Sequence, residues 1–88
     1  MKVYQAVYNN GEDYEDNYDW NGGVYTSLEK CKKEVLFNLD MPVETQLTQL
    51  EIELGVVAGF KETGREYADS CKFAYIYELE LRGRFVEE

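Results

Sequence analysis

The chain has 88 residues, of which 44% are hydrophobic and 15% aromatic, and it carries a net charge of −9. So many apolar residues and rings can bury apolar area, which argues against disorder, and the length allows one domain, residues 1–88, around one modest core. Duplex DNA and anionic lipid both repel such an anion, so direct nucleic-acid binding and membrane-surface binding are disfavoured.

In residues 2–8, Val3, Gln5 and Val7 alternate with Tyr4, Ala6 and Tyr8. Both faces are apolar enough for a central strand. Asn9, Asn10 and Gly11 supply a turn, because Asn and Gly tolerate positive φ. The stretch Glu12 to Trp20 is expected to pair back as a hairpin strand. It holds five carboxylates (Glu12, Asp13, Glu15, Asp16, Asp19) interleaved with Tyr14, Tyr18 and Trp20, and no base. Such a stretch offers both area to bury and a field to steer a partner; alternatively the rings pack inward and the carboxylates stay solvated.

Asn17, Asp19, Asn21 and Gly22 also fall at positions 1, 3, 5 and 6 of a calcium-binding EF-hand loop, with Val24 at position 8. Position 12 is Leu28 instead of an acid, and Glu29 comes one residue late. A calcium or small-ligand site at 17–22 is therefore a minor alternative, and no cofactor is expected.

Val24 and Tyr25 read as a short strand. Thr26 and Glu29 have the spacing of a capping box, which predicts a helix from Leu28 to about Asp40 with Leu28, Cys31, Val35, Leu36 and Leu39 on its buried face. Pro42 disfavours helix at Met41. Residues 42–54 are ambiguous. Val43, Leu47, Leu50 and Leu54 fit a helix face, whereas Leu50, Ile52, Leu54 and Val56 alternate like a strand; the helix matches the longer window and is preferred, with Gly55 ending it. A short strand at 56–61 and a charged loop at 62–70 follow. The final strand, 72–82, is expected to bury Phe73, Tyr75, Tyr77, Leu79 and Leu81, with Leu79 in the core, and the tail after Gly83 to extend the sheet through Phe85. These elements make an α+β fold: an antiparallel or mixed sheet of three to four strands packed by one or two helices.

The negative charge is regional. Residues 3–29 carry six acids and no base, and residues 34–60 five acids and no base. Cys31 and Cys71 are the only cysteines and lie beside apolar positions, as buried reduced thiols of a cytoplasmic protein would. No apolar run approaches the roughly 18 residues that span a bilayer. The chain lacks His and has no phosphate-binding or nucleophile-elbow motif, and its paired acids, such as Glu78 and Glu80, are two residues apart on solvated faces. The expectation is a binding protein and not an enzyme.

The opening MKVY, the acidic aromatic loop, the helix entry GVYTSLEKCKKEV and the closing YIYELELRGRF resemble the small acidic proteins of phages and prophages of Gram-positive bacteria. The likeness covers the first 39 residues and the C-terminal strand. It implies a phage product in the host cytoplasm, in a class that includes inhibitors of host defence nucleases such as anti-CRISPR proteins. No functional residue carries over from it.

The expected partner is then a protein with a basic surface, a defence or nucleic-acid-binding protein of the bacterium, held by an anionic face that mimics DNA. Glu12, Asp13, Tyr14, Glu15, Asp16, Tyr18, Asp19 and Trp20 form its first part, extended by Asp40, Glu44, Glu51 and Glu53. A homodimer built through an apolar sheet edge is the structural alternative.

Overall fold

A computed structural model describes residues 1–12, 14–64 and 71–80. In chain order the elements are β1 (Lys2–Asn9), a 3-10 turn (Tyr14–Asp16), β2 (Asp19–Tyr25), α1 (Leu28–Asn38), β3 (Pro42–Glu44), α2 (Gln49–Glu53), β4 (Val56–Glu62) and β5 (Phe73–Glu80). The five strands form one sheet in the order β2-β1-β5-β4-β3, every neighbouring pair antiparallel. This is the expected α+β class, with five strands where three to four were expected. β1 is interior, as its two apolar faces require.

α1 leaves β2 at one edge and leads to β3 at the other, so it crosses one face of the sheet, touching β1, β2 and β5. The core lies beneath it. Cys31, Val35 and Leu39 meet Ala6 and Tyr8 of β1, Ala58 and Phe60 of β4, and Ala74 and Ile76 of β5. Small residues on three adjacent strands let the helix approach closely. This reverses the expectation for β5: the buried face is Ala74 and Ile76, while Phe73, Tyr75 and Tyr77 line the opposite face and Leu79 is 42% exposed. Leu36 is likewise exposed, about 100° around the helix from Val35.

The helix entry also differs from expectation. Ser27 is the N-cap, in extended conformation and without a side-chain cap hydrogen bond; Thr26 does not form the box. The capping box is at α2, where the Thr48 hydroxyl accepts from the Glu51 N–H (3.1 Å) and the Glu51 carboxylate accepts from the Thr48 N–H (2.8 Å). Residues 42–54 are therefore not one helix. Pro42, Val43 and Glu44 pair with Glu62, Lys61 and Phe60, and the helix starts only at Gln49. Long-range pairing outweighs the helical periodicity there. Gly55, at φ +98°, follows α2 as expected of a terminating glycine.

Glu62, buried on β4, secures the turn between α1 and β3 by accepting from the Asp40 N–H (3.0 Å). Met41 takes the left-handed conformation (φ +49°), with its carbonyl accepting from the Thr63 hydroxyl. The loop expected at 62–70 and the last strand residues fall partly outside the described residues, and the tail extension through Phe85 lies wholly outside them.

Each edge carries a feature that discourages further pairing. β3 is three residues long with Pro42 and Glu44, and β2 bears a charge at Asp19 and a bulge at its glycine pair. No helix among the described residues is long and apolar enough to cross a membrane.

Candidate functional site

Asparagine side chains build the hairpin between β1 and β2. The Asn10 side-chain oxygen accepts from the Glu12 and Tyr18 N–H groups (3.1 and 3.3 Å), while its amide donates to the Asp16 carbonyl (2.6 Å). Asn17 donates to the Glu12 carbonyl (2.8 Å) and to the Asn9 side chain (3.3 Å), and Asn9 in turn donates to the Asp19 carboxylate (2.6 Å). Gly11 has φ +76°, and a Cβ there would lie 1.9 Å from the Cys71 carbonyl oxygen, so only glycine fits. Glu12, Glu15, Asp16 and Asp19 are held outward by this frame and are exposed.

Calcium-loop geometry does not form here. Asn17 turns its amide nitrogen to the loop carbonyl, and Asp19, Asn21 and Gly22 belong to an extended strand, where oxygen ligands cannot converge. Among the described residues no group of three or more candidate ligands is placed to hold a metal.

The rings divide between core and surface. Trp20 stacks on the buried Tyr8 (centroids 5.6 Å apart, planes at 18°), and Tyr18 lies against Trp20 at 5.2 Å while remaining 59% exposed. A three-ring ladder thus runs from the core to the acidic loop. A cavity of about 210 Å³, lined by Tyr8, Trp20, Asn38 and Lys72, opens beside it on the helix side.

The sheet face away from α1 carries a second hollow. The connection from β3 to β4 covers part of this face: the Thr45 N–H donates to the Gly59 carbonyl (2.8 Å), and a Cβ at Gly59 would meet Thr45, Leu47 and Tyr75 at 2.8–3.2 Å. The part over β1 and β5 stays open. Val7, Asn9, Asp19, Phe73, Tyr75 and Tyr77 line a groove of about 290 Å³ there. The register explains the grouping, since Asn9 faces both Asp19 and Phe73, Val7 faces Tyr75 and Gln5 faces Tyr77. Burial, and then the Glu51 carboxylate that accepts its hydroxyl proton, raise the pKa of Tyr75.

Glu34 of α1 ties the hairpin to the helix. Its carboxylate accepts from the Tyr8 hydroxyl (2.6 Å), the Tyr25 hydroxyl (2.8 Å) and the Gly23 N–H (2.9 Å), and Asn38 donates to the Tyr8 oxygen (2.9 Å). The double glycine makes room for it. β2 has a bulge between the pairs Gln5↔Val24 and Val7↔Asn21, which sets Gly22 and Gly23 against Ala6 and brings both Trp20 and Tyr25 to the core face. A Cβ on Gly22 would lie 2.3 Å from Glu34 and 2.6 Å from the Tyr8 ring, and one on Gly23 would lie 2.6 Å from Glu34. Gly22→Ala is expected to destabilise the fold by about 1–3 kcal/mol through overpacking, measured by urea denaturation.

Burial opposes ionisation of Glu34, but the bonds from Tyr8, Tyr25 and Gly23 outweigh it and hold the carboxyl below its ordinary range. Burial, then Glu34, drive the Tyr8 hydroxyl well above its usual pKa and the Cys31 thiol up to about 11. At neutral pH this cluster holds a carboxylate, neutral phenols and a neutral thiol. It contains no activated nucleophile and braces the fold.

The expected site residues fall into separate places. Glu12, Glu15, Asp16, Tyr18, Asp19 and Trp20 gather on and beside the hairpin. The Tyr14 backbone lies in the 3-10 turn there, and Asp13 is outside the described residues. Asp40 lies over Gly64 next to β3, and Glu44 is on β3 itself, four strands from β2 and so about 19 Å away by strand spacing. Glu51 and Glu53 are on α2, and neither lines the groove. Sequence reasoning missed Val7, Asn9, Phe73, Tyr75 and Tyr77 as site residues. The signal available was the alternate pair Ala74 and Ile76, a small and a branched residue on one face, which marks the face a helix can approach. Comparisons of the chain with protein-family models, with curated proteins and with solved structures find no match.

Proposed function

We propose that the chain is a binding protein that docks its acidic, aromatic hairpin on the basic surface of a nucleic-acid-binding or defence protein, as a phage-type inhibitor would. One observation carries this reading: the asparagine frame holds exposed carboxylates and the Tyr18 ring on a preorganised loop beside an open aromatic groove. A preorganised anionic loop loses little entropy on docking, and its field steers a cationic partner. Concentrated negative charge also opposes association with other anions.

Asp13→Asn, Glu15→Gln, Asp16→Asn and Asp19→Asn together test the reading, because the loop frame uses backbone carbonyls and asparagines more than these carboxylates. The expected result is an unchanged circular dichroism spectrum and melting curve together with loss of the partner that the wild-type chain retains, stoichiometrically and below moderate salt, from bacterial lysate. Retention of the same partner by the amide variant would overturn the assignment of the hairpin. Recovery of only the chain itself, at any salt, would overturn the proposal as a whole.

A further inference from the structure

The groove on the face away from α1 has chemistry that the hairpin alone lacks. Its floor carries Phe73, Tyr75 and Tyr77, successive outward residues of β5 spaced about 6.8 Å apart, with Val7 beside the middle ring. One carboxylate lines it: Asp19 lies at the β2 wall with the Asn9 amide as its hydrogen-bond donor. The charge of Glu51 on α2 acts on Tyr75 from outside the lining. Lys61, cross-strand from Phe73, is a cation at the end of this face where Asp19 also lies, two strands further across, so the Tyr75 and Tyr77 rings are the part of the floor farther from it.

We propose that this groove receives an arginine-bearing extended segment of the basic partner, its guanidinium groups stacking on the Tyr75 and Tyr77 rings and pairing, at the Phe73 end, with Asp19. The inference rests on the binding-protein reading above. Charge complementarity selects the occupant. An aromatic floor with a carboxylate at its wall favours a group that is at once flat, cationic and weakly hydrated, and a guanidinium has all three properties. An ammonium has the charge without the plane, and it loses more hydration on entering. The volume of about 290 Å³ leaves room for an arginine side chain with adjoining backbone. An extended segment also matches the floor, because its own outward residues repeat at the spacing of the β5 rings.

The test is calorimetric titration of the full chain with hexa-arginine and with hexa-lysine peptides at one fixed ionic strength, repeated for three variants. The wild type is expected to bind hexa-arginine more tightly by about two- to fivefold, the scale of one exposed cation–π contact. Tyr77→Leu, on an open face where folding is checked by circular dichroism, should abolish that preference. Asp19→Asn should weaken both peptides, the arginine one more. Glu15→Gln with Asp16→Asn should weaken both equally and leave the ratio intact. Equal affinity of the wild type for the two peptides, or a preference that survives Tyr77→Leu, would overturn the groove assignment. The ratio reports on the groove and lysate capture on the hairpin, so a retained partner with no arginine preference would sink this inference alone. An arginine preference with no retained partner would sink the broader reading and leave the groove's specificity standing.

Discussion

Ile76→Ala is expected to lower the unfolding free energy by about 2–5 kcal/mol, the largest effect of any single aliphatic truncation in this chain. Ile76 is fully buried on β5, beneath α1, and is among the largest side chains with no exposed surface. Cavity cost depends on how far the surroundings can collapse. Here Val35 and Cys31 on the helix and Ala6, Ala58 and Ala74 on the strands are all buried with it, and the backbone ladders on both sides of β5 fix the floor. Leu79→Ala, three residues along the same strand, is expected to cost less than about 1 kcal/mol, because Leu79 is 42% exposed and already meets water. Urea denaturation of the two variants measures the contrast. Equal losses would mean that the two faces of β5 have been exchanged.

Glu34→Ala is the second large effect. It removes three hydrogen bonds to a carboxylate and strands the Tyr8 hydroxyl, whose residue is only 3% exposed. A buried donor left without an acceptor costs about 1–3 kcal/mol, and the neighbouring bonds from Gly23 and Tyr25 bring the expected loss to roughly 3 kcal/mol. The same group predicts a pH dependence. The folded pKa of Glu34 is lowered, so its contribution is fully present above the ordinary glutamate range and is lost as pH falls through the folded value. Melting temperature should fall on the acid side in the wild type, and Glu34→Gln should flatten that fall. Relief of repulsion among the surface carboxylates acts with the opposite sign on acidification and is common to both proteins, so the difference between the curves isolates Glu34. Superimposable curves would show that folding does not shift the pKa of Glu34.

Much of the local structure was legible from residue order. The central character of β1 follows from apolar residues on both its faces, the helix over 28–38 from its spacing, and the turn at Asn9–Gly11 from residues that accept positive φ. The acidic hairpin was visible as composition, and Asn10 and Asn17 could be named as turn formers. That their amides tie the loop at both ends could not. The capping signals misled in an instructive way: Thr26–Glu29 and Thr48–Glu51 share one spacing, yet only the second closes, since Ser27 takes the N-cap place at α1.

The amino-acid sequence by itself determined the class of fold, the first residue of α1, the long final strand and the concentration of negative charge before residue 30, because these depend on periodicity, turn chemistry and charge within a few residues. Tertiary structure alone decided which face of β5 is buried, since alternation is symmetric and only the close approach of α1 to Ala6 and Ala74 breaks the tie. It also decided that residues 42–44 pair with β4 instead of entering a helix, that Gly22 and Gly23 are there to admit Glu34, and that Asp19 joins Phe73, Tyr75 and Tyr77 in one aromatic groove while Glu44 stands on the far edge. Each of those outcomes is a contact between residues distant in the chain, and strand pairing and helix docking select it after local preferences are satisfied.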